Sequence, residues 1–408
     1  MKHLKFLALL ALAMSAIFTS CDNDDDVWNT TGGGKVEMES PCRAFILNEG
    51  SMSKNNSNII YFDWASGKVN PSCVFTQQNG KQLGDTGNDI ITVDGNRMVV
   101  AVNVSNYVTL LDGYGVEKSR VSFESYKNLG QVRSVVEDDG IVYATSYGGY
   151  VSRLRIQGDQ LVYMDSLRVG DRPEDIAEED GKLYVTTYGG YVARFDAQTL
   201  AYEARVRVDA NPEEIIEHDG YLYCVNSGLG YGNTISAINI STFTSSESYK
   251  TLDNPYSIFE EDDRIYVVAH GFYDPITWAH TEAVGIFNPN THATTLLEGL
   301  HPTNVIAVDN ILYMTTSTSP DWVSYTTTFS KCNVLTGETS EWTLTNAPAE
   351  LTSGNVYMLE RNPYDGSFYI ATSDYATDSP VYHFDRNGKY IGKFSAGGIC
   401  PNSMLFIR

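Results

Sequence analysis

One sequence phrase returns about every 40 to 55 residues from residue 83 onward. It starts with a proline or small polar residue, continues with an aliphatic residue three positions later, and ends in Asp-Gly before an aliphatic-Tyr-Val segment. Clear copies occupy residues 172–185 and 211–223. The aligned positions of the seven copies are Val99, Tyr143, Tyr184, Tyr223, Tyr266, Tyr313 and Tyr369. This spacing is typical of β-propeller blades and not of helical repeats.

Each copy predicts four antiparallel strands, A to D. Strand A ends at the Asp-Gly turn, and the tyrosine-rich strand B follows. Strand C begins after a Gly-Gly pair, as in residues 147–151 and 188–192. Gly-Gly indicates a two-residue hairpin, because both glycines can take positive φ. Helical periodicity is absent, and the 27 tyrosines suit half-buried pleated surfaces. The predicted fold class is all-β.

The two ends of the repeat region complement each other. Residues 43–48 form a strand B with no strand A before it, and residues 401–407 form a strand A with nothing after it. Pairing them makes a composite closing blade, which hides the sheet edges. Together with the seven internal copies this predicts a single propeller of eight four-stranded blades over residues 42–408. Seven blades remain the alternative, because the last copies are irregular.

The N-terminal segment predicts export. Lys2 and Lys5 precede an apolar run over residues 6–18, and Thr19-Ser20-Cys21 follows. This is the pattern of a secretory signal peptide, residues 1–20. The apolar run is too short to span a bilayer. Cys21, placed as in a bacterial lipobox, is the expected lipidation site, and residues 21–41 are an acidic, flexible tether.

Five acidic or amide residues, 22–26, directly follow the expected lipid anchor. They resemble the signal that sends Bacteroidota lipoproteins to the outer leaflet, which predicts a cell-surface location on the outer membrane. The alternative is that these residues only solvate the tether.

The charge of the chain limits its partners. The formal net charge is −23, and removal of residues 1–20, with two lysines and no acids, makes it −25. Such a protein repels phosphate backbones, so no nucleic-acid partner is expected. Membrane contact is expected through the lipid anchor only.

Motifs for chemistry are missing from the sequence. It has no G-x-S-x-G, P-loop, C-x-x-C or H-E-x-x-H motif. The repeated Asp139, Asp180 and Asp219 are predicted turn formers. Enzymatic propellers need convergent charged residues at the channel mouth, and the sequence offers Arg172 and Glu174 without a matched set. We therefore expect no catalytic residue, no cofactor and no metal.

Five cysteines remain after Cys21, an odd number that cannot all pair. Cys42 and Cys73 are the most local pair. They would belong to strands B and D, which lie about 9 to 10 Å apart and beyond disulfide reach.

The connections between strands indicate a binding face. In a four-stranded antiparallel blade, the B-to-C and D-to-A connections emerge on the same side. Later B-to-C connections lengthen, at residues 227–233, 270–282, 317–325 and 373–380. Exposed aromatic rings among polar groups suit a bulky, partly apolar ligand with amides or hydroxyls. The predicted ligand-binding residues are Arg133, Tyr147, Arg172, Tyr188, Tyr231, Tyr273, Trp278, Trp322 and Tyr375.

Three opening motifs, residues 45–50 (FILNEG), 58–63 (NIIYFD) and 83–87 (LGDTG), resemble the YncE-like surface propeller lipoproteins of Bacteroidota. The resemblance covers the whole region after the tether. That family includes the surface cobalamin-binding propeller that sits on the cobalamin TonB-dependent transporter.

The resemblance implies a protein that captures cobalamin, or a related corrinoid, as a transported ligand and passes it to an outer-membrane TonB-dependent transporter. Two alternatives stay open: a glycan- or protein-binding scaffold, and a propeller glycan lyase or hydrolase. Fold alone does not choose between them.

Overall fold

Eight four-stranded antiparallel sheets form a ring in the computed structural model, which describes residues 35–70, 72–126 and 129–408. At seven of the eight junctions between consecutive sheets, the innermost strands pack closely against each other, so the sheets are blades around a central channel. The predicted eight-bladed β-propeller is confirmed, and the seven-bladed alternative is excluded.

The strands follow the chain order around the ring. Blade 1 comprises β1 (Arg43–Asn48), β2 (Asn58–Asp63), β3 (Lys68–Asn70) and, from the far end of the chain, β32 (Pro401–Ile407). Blade 2 comprises β4 (Gly87–Val93), β5 (Arg97–Val102), β6 (Tyr107–Leu111) and β7 (Glu117–Ser122). Blade 3 comprises β8 (Val132–Asp138), β9 (Ile141–Ser146), β10 (Tyr150–Gln157) and β11 (Gln160–Arg168). Blade 4 comprises β12 (Pro173–Glu179), β13 (Lys182–Thr187), β14 (Tyr191–Asp196) and β15 (Tyr202–Arg207).

The second half of the ring repeats this order. Blade 5 comprises β16 (Pro212–His218), β17 (Tyr221–Asn226), β18 (Thr234–Asn239) and β19 (Ser246–Lys250). Blade 6 comprises β20 (Pro255–Glu261), β21 (Arg264–Ala269), β22 (Ala283–Asn288) and β23 (Ala293–Leu296). Blade 7 comprises β24 (Asn304–Val308), β25 (Ile311–Thr318), β26 (Thr326–Asn333) and β27 (Glu338–Glu341). Blade 8 comprises β28 (Val356–Arg361), β29 (Phe368–Thr372), β30 (Pro380–Phe384) and β31 (Tyr390–Ser395).

The composite blade closes the ring as the sequence predicts. Strands β32 and β1 pair antiparallel, from Arg43 opposite Ile407 to Asn48 opposite Pro401. Strand β1 is buried along its whole length, because β32 covers one edge and β2 the other.

The core is divided among the interfaces between blades. Tyr184, Tyr223 and Tyr266 of the B strands are buried in these interfaces, and Tyr313 is half-buried. Their side chains pack on the neighbouring blade; Tyr184, for example, lies with Ile215 and Leu222 of blade 5. The strand-B tyrosines are therefore structural, as predicted.

The Asp-Gly turns join strands A and B in left-handed conformations. Asp180 has φ 50° and Gly181 φ 73°, and the pairs at Asp139 and Asp219 are alike. Positive φ at both positions is the signature of the type I′ hairpin. These aspartates are turn formers, as expected.

The Gly-Gly hairpins differ from the prediction. The loop between β9 and β10 has three residues, from Tyr147 to Gly149, and only Gly149 takes positive φ, 90°. The reason is that Tyr147 N–H donates to Gln131 O at 2.8 Å in the D-to-A connection, which draws the tyrosine out of the strand. The prediction of a two-residue turn was wrong by one residue, and the Tyr188 loop repeats the arrangement.

Helices are few and short in the described ranges. One α-helix, α1 (Val74–Asn79), lies in the D-to-A connection of blade 1. Three 3-10 helices occupy Phe123–Ser125, Gly228–Gly230 and Ala349–Ser353. Over the residues that are described, none of the helices has the length and apolarity needed to cross a bilayer.

The end of the predicted tether lies against blade 1. Lys35 and Val36 donate their N–H groups to Gln78 Oε1 of α1, at 2.6 and 2.9 Å, and Met38 is buried in the first core cluster. The signal peptide, Cys21 and residues 22–26 lie outside the described residues. Cys42 and Cys73 are both free.

Candidate functional site

The B-to-C and D-to-A connections form one face of the ring, here called the loop face. Backbone hydrogen bonds tie the two kinds of connection together, from Tyr188 N to Arg172 O, Ser227 N to Asn211 O, His270 N to Asn254 O and Ser373 N to Asn355 O, all between 2.9 and 3.2 Å. Both kinds of connection therefore lie on one side of the ring, as predicted. The Asp-Gly turns lie on the opposite side, here called the turn face.

A β-bulge near the loop-face end of the innermost strand recurs in seven blades. In blade 3 the register shifts between Val132 and Val135, and in blade 4 between Pro173 and Ile176. Bulges re-aim side chains and are frequent next to functional sites. Here the bulges direct into the channel the residues that stand between the proline and the aliphatic residue of the sequence repeat.

The channel mouth, as the term is used below, is the cavity of about 330 Å³ formed by these bulges. It is lined by Asn88, Asp89, Arg133, Ser134, Glu174, Asp175, Glu213, Glu214 and Tyr256. Five carboxylates therefore face one guanidinium.

Arg133 is the centre of a polar network in the channel mouth. Its guanidinium donates to Glu174 Oε1 from Nε at 2.8 Å and from Nη2 at 2.7 Å, and to Asn88 Oδ1 at 3.1 Å. Desolvation is the largest single effect on the guanidinium and lowers its pKa, but the charge of Glu174, its hydrogen bond and the neighbouring Tyr147 and Tyr188 together raise the pKa above its ordinary value. Arg133 is therefore a fixed positive charge.

Glu213 extends the network toward the loop face. Ser227 Oγ donates to Glu213 Oε1 at 2.5 Å, and Tyr188 Oη lies 3.5 Å from Oε2. Desolvation raises the pKa of both Tyr188 and Tyr147, and the neighbouring carboxylates Glu174 and Glu213 raise it further. Both tyrosines are thus protonated hydrogen-bond donors beside the carboxylates.

The deeper carboxylates of the channel have raised pKa values. Desolvation, followed by the charge of Glu214, raises the pKa of Asp175 to about 7. Desolvation also raises the pKa of Asp89 and of Glu214, although backbone and hydroxyl donors oppose it. Glu214 is reached by channel water, yet protein surrounds it closely enough for desolvation to dominate.

The expectation of no matched charged set at the channel mouth is corrected by this geometry. Glu174 is paired with Arg133 of the neighbouring blade and not with Arg172. Arg172 has an exposed side chain and φ 42°, and its carbonyl oxygen accepts from Tyr188 N–H at 3.2 Å. The sequence feature that could have predicted these carboxylates is the pair of acidic residues just before the aliphatic residue of the repeat in blades 4 and 5, Glu174-Asp175 and Glu213-Glu214.

A second cavity, of about 460 Å³, lies between the loops of blades 7 and 8. Trp322, Tyr325 and Tyr375 supply its aromatic surface, and Asn355 and Lys393 are among its polar groups. Asn355 Nδ2 donates to Tyr375 Oη at 3.1 Å. We call this cavity the blade 7–8 pocket.

A third cavity, of about 730 Å³, lies beside the long loop of blade 6 and is here called the blade 6 pocket. Its wall includes Phe272, Tyr273 and His280. The Tyr273 ring centroid is 4.6 Å from that of His280 and 6.4 Å from that of Trp278.

An aromatic path connects the blade 6 loop to the channel. His270 stacks on Tyr256, a channel residue, with ring centroids 4.0 Å apart, and lies 6.2 Å from His280. Burial, and then the charge of His280, lowers the pKa of His270, so its ring is neutral at pH 7. The path thus offers ring surface from the channel mouth to the loop.

Three loop aromatics share an unusual backbone conformation. Trp278, Trp322 and Tyr375 have φ values of 60°, 62° and 60°. This left-handed region favours glycine and asparagine, and a bulky residue there costs about 1 kcal/mol or more. All three side chains are more than half exposed, at 65%, 72% and 52%. Rings held in this way without burial point to a role in binding.

The nine predicted ligand-binding residues form separate groups on the loop face. Arg133, Tyr147 and Tyr188 meet around the channel mouth. Tyr273 and Trp278 belong to the blade 6 loop, and Trp322 and Tyr375 to the blade 7–8 pocket. Tyr231 lines a small cavity of about 290 Å³ on the blade 5 loop, and Arg172 stands apart.

Residues that could hold a metal ion lie on the turn face. His218, Glu260 and Asp263 place one ligand atom each within 4.8 Å of one another, and His218 Nδ1 is 3.0 Å from Glu260 Oε2. Imidazole and carboxylate ligands suit a divalent transition metal. Sequence reasoning missed this group because it combines two blades.

Comparison with known proteins gives fold similarity alone. No protein-family model matches the chain, and no curated protein matches it. Dihydro-heme d1 dehydrogenase NirN, solved in complex with DHE, superposes with TM-score 0.62 at 11% identity, covering 90% of this chain and 75% of that one.

Two further solved structures are similar. BamB from Moraxella catarrhalis has TM-score 0.55 and 14% identity over 78% of this chain and 92% of that one. The computationally designed Ika8 protein has TM-score 0.54 and 13% identity over 86% and 96%. At these identities the similarity establishes the propeller fold and no shared activity.

Proposed function

We propose that this protein is a non-catalytic surface lipoprotein of the YncE-like type, which captures cobalamin or a related corrinoid on its loop face. It then passes the ligand to a TonB-dependent transporter in the outer membrane. The observation that carries the proposal is the arrangement of that face, where two aromatic pockets accompany a polar channel mouth.

The chemistry of the ligand fits these two kinds of surface. A corrin ring presents broad apolar surface and a periphery of amide groups. Exposed rings such as Trp322 and Tyr273 offer apolar contact, and each aromatic side chain can bury about 150 to 250 Å². Carboxylates, amides and hydroxyls of the channel mouth can accept from or donate to peripheral amides.

The left-handed backbone of the loop aromatics favours a binding role over a packing role. Trp278 and Trp322 would be replaced at little cost by glycine or asparagine if they only closed a turn. Residues kept in such conformations cluster at ligand sites. They are the expected anchors of the complex, since a few buried aromatic residues usually carry most binding energy.

The proposed surface location rests on the sequence of the N-terminal segment, and the proposed hand-over to a transporter rests on the resemblance to the YncE-like lipoproteins. Cys21 would carry the lipid, residues 22–26 would direct export to the outer leaflet, and the tether ends at blade 1. An acidic propeller held in this way avoids anionic lipid headgroups except at its anchor.

The test is direct binding of the ligand. Purified residues 22–408 are titrated with cyanocobalamin by calorimetry, and co-purifying corrinoid is sought by its visible absorbance. Haemin serves as the control macrocycle, because it is flat and apolar but lacks the amide periphery. Saturable binding of cyanocobalamin and weaker binding of haemin support the proposal. Absence of cyanocobalamin binding eliminates it.

A second candidate function is a propeller glycan lyase or hydrolase, and the channel mouth is the observation that favours it. Asp175, with a pKa near 7, lies among Glu174, Glu213 and Glu214 and could exchange a proton at neutral pH. Against it, Asp175 and Glu214 each accept a hydrogen bond from the next blade. Release of reducing ends from a polysaccharide panel, lost in Glu213→Gln, would establish this function.

A further inference from the structure

The channel mouth is lined by more acidic residues than basic ones. Asp89, Glu174, Asp175, Glu213 and Glu214 line it, and Arg133 is the one cationic residue among its lining. The guanidinium is already shared between Glu174 and Asn88. Desolvated carboxylates of the same sign repel one another and favour a bound cation.

Glu174 points to a missing hydrogen-bond donor. The residue is 7% exposed, and its Oε1 accepts from Arg133. Its other oxygen, Oε2, is buried and accepts no hydrogen bond of normal geometry from the described residues, although the Tyr188 hydroxyl lies beside this carboxylate. A buried carboxylate oxygen without a donor is unfavourable, and natural proteins rarely leave one. A ligand N–H is the simplest group to fill this role.

Aromatic rings surround the same carboxylates. The charges of Glu174 and Glu213 both act on Tyr147 and Tyr188, and Tyr256 lines the cavity itself. Carboxylates combined with tyrosine faces are the surroundings that proteins use to recognise ammonium groups.

A divalent metal ion fits the channel less well than an ammonium group. Within the described ranges, a close grouping of three metal-ligating atoms occurs at His218, Glu260 and Asp263 on the turn face. The channel carboxylates form no such group.

We infer that the channel mouth is a binding site for a primary alkylammonium group, with Glu174 and Glu213 as its acceptors. The cavity of about 330 Å³ has room for a short aliphatic diamine, whose positive charges complement the carboxylates. This site shares the channel mouth with the proposed corrinoid-binding face, but the inference does not depend on corrinoid binding.

The experiment titrates the protein with putrescine at pH 8 and low ionic strength by calorimetry. At this pH the amine is protonated. The neutral isostere 1,4-butanediol is the ligand control. Wild type should bind putrescine and not the diol, and Glu174→Gln and Glu213→Gln should each weaken binding about tenfold or more.

Glu178→Gln is the matched control variant. Glu178 lies on β12, like Glu174, but at the turn-face end of the strand, where it accepts from Gly181 N at 2.8 Å. Its affinity for putrescine should equal that of wild type, which separates a specific site from general attraction to an acidic protein. Circular dichroism and thermal melting show whether each variant is folded.

Several outcomes would overturn the inference. They are absent putrescine binding, equal binding of the diol, and unchanged affinity in both folded variants. Tight Ca²⁺ binding that is lost in the same variants, without putrescine binding, would identify a hard-cation site instead. Cyanocobalamin titration of the same samples reports separately on the corrinoid proposal.

Discussion

Asp175 of β12 accepts a hydrogen bond from the backbone N–H of Ile215 on the neighbouring blade, at 3.0 Å. Asp89 accepts in the same way from Val135 at 2.9 Å, and Glu214 from Ile258 at 3.1 Å. Adjacent blades share no backbone ladder, so these carboxylates supply polar links between innermost strands. The channel wall between blades 2 and 6 is held partly by side chains that also determine its charge.

The raised pKa of Asp175 predicts a specific pH dependence of stability. The folded pKa of about 7 lies above the unfolded value of about 3.9. The contribution of this group is therefore full below about pH 4 and is lost as the pH rises through about 7. Asp175→Asn cannot ionise and keeps an oxygen for Ile215, so its stability relative to wild type should rise over this window, by about 3 kcal/mol.

Urea unfolding of both proteins at pH 5, 6, 7 and 8 measures this difference. Arg133, Glu174, Glu214 and Asp89 face Asp175 in both proteins, so their own titrations largely cancel in the comparison. A difference that stays constant across the four pH values would show that Asp175 is ionised throughout.

The loop tryptophans should carry much of the affinity for cyanocobalamin. Trp278→Ala and Trp322→Ala should each weaken binding by about 1 to 3 kcal/mol, or about ten- to a hundredfold. The two residues belong to different loops, so unequal losses show which pocket the corrin ring contacts. Asp180→Asn, on the turn face, should leave the affinity unchanged, and equal losses on both faces would exclude the proposed site.

Replacing a loop tryptophan by glycine should have opposite effects on the stability of the protein and on ligand binding. Trp322→Gly places at φ 62° the residue that this conformation favours, and it removes no buried packing. The free energy of unfolding should therefore rise by about 0.5 to 1 kcal/mol while ligand affinity falls. A loss of stability would mean that the ring packs on the loop face in solution.

The composite blade should be essential for cooperative folding. Deleting residues 399–408 removes β32 and exposes the edge of β1 together with Phe45, Ile46 and Leu47, which are fully buried. We expect a broad or absent thermal transition and binding of a hydrophobic dye. Melting like that of the full chain would refute closure by β32.

The left-handed Asp-Gly turns can be tested with a matched pair of glycines. Neither Gly181 nor Gly392 has a neighbour that an added Cβ would meet, but only Gly181 has positive φ, 73°. Gly181→Ala should therefore cost about 1 kcal/mol of unfolding free energy, while Gly392→Ala in β31 should be neutral or slightly stabilising. Chemical denaturation of both variants checks the contrast.

The acidic residues after Cys21 should control export and not lipidation. Replacing Asp22, Asp24, Asp25 and Asp26, with Asn23, by alanine is expected to leave the lipid in place and to keep the protein in the periplasm. Protease treatment of whole cells measures surface exposure, and Cys21→Ala is the control that abolishes anchoring. Unchanged protease sensitivity of the alanine variant would remove these residues from the sorting signal.

Sequence reasoning succeeded where the controlling interactions are local or repeated. The type I′ turns follow from Asp180-Gly181 and its copies, and the partnership of residues 43–48 with 401–407 follows from two incomplete repeats. The Tyr147 loop was assigned one residue too short, because its conformation depends on a bond to Gln131 in another connection.

The channel network was missed for a related reason. Arg133 and Glu174 meet across two blades, and the bulges that turn them inward come from strand pairing that the sequence does not display. The placement of Trp278 on the blade 6 loop and of Trp322 in the blade 7–8 pocket also depends on loop geometry. The residue types predicted on which face of the propeller these side chains lie. Which of them lie close together could be seen only from the arrangement of the blades in the ring.

The composition of the sheet in blade 1 determines when this blade can be completed during folding. Blades 2 to 8 each draw their four strands from consecutive sequence, so each can assemble soon after its own segment emerges from the ribosome or the export channel. Blade 1 cannot, because β1 must wait for β32. Until then β1 presents an unpaired apolar edge, the surface on which chaperones and misassembly act. Ring closure is therefore a single late event that reports whether the whole propeller sequence has been made and delivered.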